Sequence, residues 1–435
     1  MHGGLPWRSR LRRSHLAGLA TVSLVLLAAC GGGGGGTSPS SPGVTSTSIL
    51  IGTTSPQTGP AAPGYSEIAP ASNAYFKYVN DHGGVYGRKI TYLILDDQYD
   101  PSVTATKTRQ LVLQNHVFAD VGPLGTPTGL AVAPFLNAER VPQLFVESGC
   151  ACWSQPSKWP WTFGWQPNYI VEGKILGQYI EQSLAGQKVG YLYQDDEFGQ
   201  DGVKGLDERV PASQVVSRQT YSTTTLSSGL GNQVAALKAA GAQVVAMYTI
   251  PAATTLALLA AAEIGYHPIW VVSSVGSDPP TLTGLLASLS KGKAGASLLD
   301  GMISNIYLPP ESDASNPWVT FFKSILAQYD PGAPWDGNTL YGLALGYTFV
   351  NLLKANGPTL TRDSLVRTLE SKGKSLMGPG LVPLGYSSSN HYGYMGSQLA
   401  KIQGGAVVPF GPRYVSTNNG PITVYNGPLS QPPSS

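Results

Sequence analysis

From residue 49 onward, short apolar runs alternate with longer segments of helical period, first in one array and then in a second. That rhythm restricts the chain to parallel-sheet α/β architectures, because each helix has to return the chain to the same edge of the sheet. The first array reads as strands over residues 49–54, 89–95, 117–121 and 143–146, with helices over 69–80, 101–115 and from Thr126 onward. Pro101 and Pro127 sit one position inside expected helix starts, with Asp100 and Thr126 as their N-caps. The second array opens with a helix over 169–184. Strands at 188–193, 215–221, 243–248 and 269–273 then alternate with helices near 201–209, 230–240, 252–264 and 280–289. A repeated βα pattern of this length predicts two similar lobes, and 435 residues with 42% apolar content can fill two cores.

Beyond the second array, residues 301–308 read as a strand returning to the first lobe, and 318–328, 339–355 and 363–371 as its remaining helices. Residues 392–403 and 406–410 alternate as an antiparallel hairpin turning at Gly404-Gly405. Between the arrays, residues 159–167 hold three Trp and two Pro and read as an extended crossing.

The N-terminus is of another kind. Arg8, Arg10, Arg12 and Arg13 precede an apolar run over 16–29 that ends in Leu27-Ala28-Ala29-Cys30, the pattern of a cleaved leader followed by a cysteine. A Gly run and a Ser/Pro/Thr run then extend to residue 48, a composition expected to stay flexible, with a root-mean-square reach of roughly 20–25 Å. Removing the leader takes Lys plus Arg from 27 to 23 against 25 Asp plus Glu, so the formal charge of +2 becomes −2. Nothing in that balance points to nucleic acid.

Two turns carry the candidate site. The strand over 117–121 runs into Gly122-Pro123-Leu124-Gly125-Thr126, and the strand over 143–146 into Glu147-Ser148-Gly149-Cys150. Small residues at the carboxyl ends of neighbouring parallel strands mark the place where open α/β sheets bind ligands, and backbone amides there could receive an anion. Cys150 and Cys152 are two residues apart; the spacing is compatible with a bond across a tight turn or with two buried thiols.

The segments SPQTGP (55–60), NDHGGVYGRKI (80–90), VPQLFVESG (141–149), WPWTFGWQP (159–167) and YLYQDDEFGQDG (191–202) resemble, in order, the branched-chain amino acid type of ABC-transporter solute-binding protein. The resemblance covers nearly the whole chain after the leader. It implies a type I periplasmic binding protein fold, with two doubly wound lobes joined by a three-strand hinge near 161–167, 301–306 and 376–384. In that arrangement residues 1–29 are a lipoprotein signal peptide, Cys30 carries the lipid, and 30–48 is the linker. Residues 49–163 with 305–378 form the first lobe, and 164–304 with 379–435 the second.

The resemblance also implies a site. Leu124, Gly125 and Thr126, then Ser148, Gly149 and Cys150, would hold a ligand carboxylate with hydroxyls and amides, and Tyr65 would cover it. Phe198, Tyr248 and Ile250 would wall the second lobe, followed by Ser274 and Val275. Relatives that bind amino acids place an acid after the strand at 269–273, where this chain has Ser273-Ser274-Val275, with Asp278 further on. The expected partners are a small-molecule ligand, ABC permease subunits and, through Cys30, the membrane, with the chain acting as a monomer and without a cofactor. Delivery of a solute is the leading reading. A ligand-sensing receptor subunit of the same fold and a secreted hydrolase using Ser148 or Cys150 are the rivals.

Other constellations read as structural. Asp96-Asp97 and Asp195-Asp196-Glu197 lie at strand ends and suit helix caps better than a metal site. The six His include no metal-ligand spacing, and no nucleophile elbow, phosphate-binding loop or dinucleotide fingerprint follows a strand.

Overall fold

The computed structural model describes residues 41–376 and 378–433; the leader and Cys30 lie outside the described residues. The first sheet is built from β1 (Ser48–Ser55), β2 (Lys89–Asp96), β3 (Asp120–Val121), β4 (Gln143–Val146) and β5 (Thr162–Gly164). Its strands are all parallel, in the order β2-β1-β3-β4-β5. Between them run a short turn α1 (Ala62–Tyr65), α2 (Ile68–Asp81), α3 (Pro101–Arg109), which continues as a π turn over Gln110–Gln114, and α4 (Thr126–Ala138). Asp100 caps α3 by accepting from the amides of Ser102 and Val103.

The second sheet follows the same logic. Its parallel core is β6 (Val189–Gln194), β7 (Val215–Tyr221), β8 (Val244–Tyr248), β9 (Ile269–Val272) and β10 (Ile303–Ile306). The connecting helices are α5 (Tyr169–Ser183), α6 (Glu197–Asp207), α7 (Gly231–Ala239), α8 (Pro251–Glu263) and α9 (Pro279–Leu289). An antiparallel extension of β11 (Gly396–Gln403), β12 (Ala406–Val415) and β13 (Thr423–Val424) completes the order β13-β12-β11-β10-β9-β8-β6-β7. The strand expected to return to the first lobe is β10, an inner member of the second sheet. The chain leaves that sheet only at Tyr307.

Three more helices, α10 (Pro317–Tyr329), α11 (Gly337–Asn356) and α12 (Arg362–Lys372), follow β10. α11 lies so close to α2 that a Cβ on Gly342 would collide with the Ile68 carbonyl, and Ser72 Oγ donates to the Gly342 carbonyl at 2.7 Å. α5 and α6 meet in the same way, with Gly173 against Gly202 and Gly205 against Ile170. Edge-to-face rings, Phe76 with Phe349 and Tyr75 with Tyr347, fill the space beside the first of these contacts.

The passages between the sheets are bonded to each other. Tyr394 N donates to Trp165 O at 3.1 Å and Leu381 N to Tyr307 O at 2.8 Å. The Trp165, Tyr307 and Tyr394 rings pack with centroids 5.3–6.3 Å apart.

Residues 41–47, expected to belong to the flexible linker, are folded onto the first sheet. Leu50 N donates to Gly43 O at 2.7 Å, Lys89 N to Thr47 O at 2.9 Å, and Val44 is buried. The chain turns there through Gly43 at φ 75°, where a Cβ would collide with the Phe118 amide. Gly43→Ala is expected to lower the urea midpoint by the equivalent of about 1–2 kcal/mol, the cost of a left-handed residue with a side chain. An unchanged midpoint would show that this stretch adds nothing to the fold.

Candidate functional site

Strand ends from both sheets converge on one cavity of about 140 Å³. Tyr65, Leu124, Gly125, Thr126, Phe198, Ile250, Ser274 and Val275 line it, from the turns after β1, β3, β6, β8 and β9. Ser148, Gly149, Cys150 and Tyr248 do not. Ser148 Oγ lies 2.6 Å from Thr126 Oγ1 and accepts from Cys150 N, so it holds the wall rather than forming it. Gly149 packs against Pro167 and Tyr169, where no Cβ would fit. Cys150 sits among Ala133, Val146 and Trp153 and is disulfide-linked to Cys152, the Cα atoms 5.1 Å apart. Tyr248 lies behind Tyr169 and Phe198, with ring centroids 6.3 and 5.8 Å away.

Most backbone amides of these turns are already engaged. Leu124 N donates to Thr54 O and Gly125 N to Glu147 O, each at 3.2 Å; Ser148 N donates to Val146 O at 2.8 Å. A buried amide makes one good bond, so of the donors expected to form a cradle after β3 and β4, those of Leu124, Gly125 and Ser148 are not free. Thr126 is also not the cap of α4. Gly125 takes that place at φ 107°, and a side chain there would run into the Tyr99 ring.

Several lining residues escaped the sequence reading. Tyr99 enters the cavity from a left-handed turn (φ 59°) after β2, and Gln166, Tyr169, Tyr307 and Tyr341 come from the crossings and the helices beside them. Glu147 lines the floor at 5% exposure, and burial pushes its carboxyl well above the usual range. Glu172, buried on α5, accepts from Ser273 Oγ at 3.1 Å and Ser274 N at 2.7 Å and thereby positions the turn after β9. The paired acids at strand ends do work as caps and loop anchors. Asp96 accepts from Gln57 N, Gln98 N and Thr58 Oγ1, and Asp196 caps α6 through Phe198 N. Among the described residues no group of three His, Cys, Asp or Glu is arranged to hold a metal ion.

Direct bonds join the two sides of the cleft. Tyr65 Oη donates to Val275 O at 3.1 Å, Gly337 N to Asp278 Oδ1 at 3.0 Å, and Asn338 Nδ2 to Thr281 Oγ1 at 3.0 Å. This contact gathers Glu67, Asp336 and Glu311 around Asp278. Burial, then the neighbouring Asp336, pushes Glu67 up to about 8; burial, then the neighbouring acid, pushes Glu311 to about 7 and Asp278 to about 6. The unfolded chain ionises these groups near pH 4, roughly two or more units before the folded one. Their stabilising contribution is therefore complete below about pH 4 and is lost as pH rises through the folded values of about 6 to 8. Urea midpoints should fall between about pH 5 and pH 8, and Glu67→Gln or Glu311→Gln should flatten the fall. A midpoint that climbs over that range, in protein and variants alike, would refute the assignment.

Comparison with known proteins agrees with this architecture. The chain is 23% identical over 341 residues to the Leu/Ile/Val-binding protein homolog 1 of Brucella abortus (strain 2308), covering 76% of this chain and 85% of that protein. A possible leucine/isoleucine/valine-binding protein from Rhodopirellula baltica SH 1 superposes with a TM-score of 0.73 at 20% identity, covering 84% of this chain and 97% of the other. A branched chain amino acid ABC transporter protein from Thermus thermophilus with bound valine gives 0.72 at 18%, over 86% and 98% of the two chains. A fatty acid ABC transporter substrate-binding protein from Thermomonospora curvata gives 0.72 at 21%, over 89% and 97%. The sequence profile of the family described as periplasmic binding protein matches residues 48–406. With two α/β lobes, a shared cleft and that match over most of its length, the chain belongs to the periplasmic binding protein family.

Proposed function

We propose that this chain is an extracytoplasmic solute-binding protein that encloses one small polar solute between its lobes and delivers it to an ABC permease. The observation that carries the reading is the cavity whose wall is drawn from both sheets and from the passages between them. A solute there touches both lobes only when they are together, so it shifts the population toward the closed form. The closed form then offers the permease a surface that the open form lacks.

Residues 41–164 with 307–378 serve as the first lobe and 165–306 with 379–433 as the second, the bounds moved from 163 and 305 because β5 runs through Gly164 in the first sheet and β10 through Ile306 in the second. Lipid on Cys30 keeps the monomeric protein at the membrane outside the cytoplasm, and separate ATPase subunits supply the energy of transport. Relatives of this fold include one with bound valine and one named for fatty acids, so amino acids, amides and small or aromatic carboxylates all belong in a first screen.

A thermal-shift screen over those classes tests the proposal, since a ligand at about 100 times its Kd adds roughly 2.7 kcal/mol of stability. Thr126→Ala should weaken the ligand found by about 1–3 kcal/mol. Ser148 acts through Thr126, so Ser148→Ala should add less to the double variant than it costs alone. Full affinity in Thr126→Ala, or turnover of the solute instead of its recovery, would count against the proposal.

A further inference from the structure

The cavity is lined by three carboxylates, Glu147, Asp278 and Glu311, and by no Lys, Arg or His. Asp278 already accepts bonds from Thr281 and Gly337, but Glu147 is different. It is 95% buried, being 5% exposed, and its Oε2 has no hydrogen-bond partner within the protein. An isolated buried carboxyl of this kind is costly unless a donor or a positive charge meets it.

Four of the six amides that a bound anion would need at the same turns are occupied, and no acceptor is seen for that of Thr126 among the described residues. The amides of Leu124, Gly125 and Ser148 each donate to a backbone carbonyl, and Cys150 N donates to Ser148 Oγ. A carboxylate placed at that end would have few free N–H groups to receive it beside the Glu147 carboxyl. The remaining wall is aromatic, with Tyr99, Tyr169, Phe198 and Tyr307 among its rings. Aromatic faces attract a partly desolvated cation.

Resting on the solute-binding reading above, we infer that the cleft selects a small organic cation, an ammonium group on an apolar body, with its nitrogen set against Glu147. The aromatic wall receives the body, and Asp278 and Glu311 stand elsewhere in the same lining. Burial holds the Glu147 carboxyl above its ordinary range, as expected of an acid whose counter-charge the protein itself does not supply.

Three probes that share one body separate charge from shape: 2-phenylethylamine, phenylacetamide and phenylacetate, titrated calorimetrically into the full chain. The amine should bind at least about tenfold more tightly than either of the others, and Glu147→Gln should erase most of that preference. The ranking on the unaltered protein decides the matter even if the variant does not fold. Tighter binding of the amide or the carboxylate overturns the cation assignment while leaving solute binding in place, as does an amine preference that survives in a folded Glu147→Gln variant. No binding by any probe at about 10 mM also overturns it. The solute-binding reading falls with it only if the broad thermal-shift screen is silent as well.

Discussion

The passages between the lobes are tied to one another as well as to the sheets they leave. Backbone bonds from Tyr394 to Trp165 and from Leu381 to Tyr307, with three rings packed over them, make these strands a small structure of their own. Every other feature of the cleft depends on that arrangement. It sets β5 beside β4 and β10 beside β9, so that the carboxyl ends of two independent sheets face the same space. The two sheets themselves are ordinary products of βα alternation; the site exists because the crossings fix their relative direction.

Within that frame, hydrogen-bond accounting decides the chemistry. The turns after β3 and β4 have the small residues that suit anion binding, yet the amides of Leu124, Gly125 and Ser148 are spent on Thr54, Glu147 and Val146. Ser148 has become a support for Thr126. Glu147, in the same turn, brings a carboxyl where the pattern anticipates an acceptor of negative charge.

How much of this was legible in the sequence follows the range of the interactions. β4 and β7 fall at the residues expected, because Pro142 precedes one and periodicity two defines the other. α6 begins at Glu197, earlier than expected; of three consecutive acids, Asp196 is the one whose carboxylate reaches Phe198 N, and composition does not distinguish among them. The stretch 41–47 reads as linker because it holds almost nothing apolar, and it is held instead by backbone bonds to Leu50 and Lys89 that leave no trace in residue type. In the site, the strand-end turns are visible as small residues. Glu147 as a buried acid, Glu172 as the support of Ser274 and Tyr99 as a wall are tertiary facts that depend on partners far along the chain.

The glycine contacts described for α2 with α11 and for α5 with α6 bear on how the molecule can move. Backbone touching backbone leaves no side-chain layer to compress, so each lobe resists internal deformation and behaves as one solid piece. Displacement is then confined to the tied crossings, which either hold their mutual bonds or rearrange together. Any movement of one lobe against the other would have to rearrange these crossings and the Tyr65 to Val275 contact together.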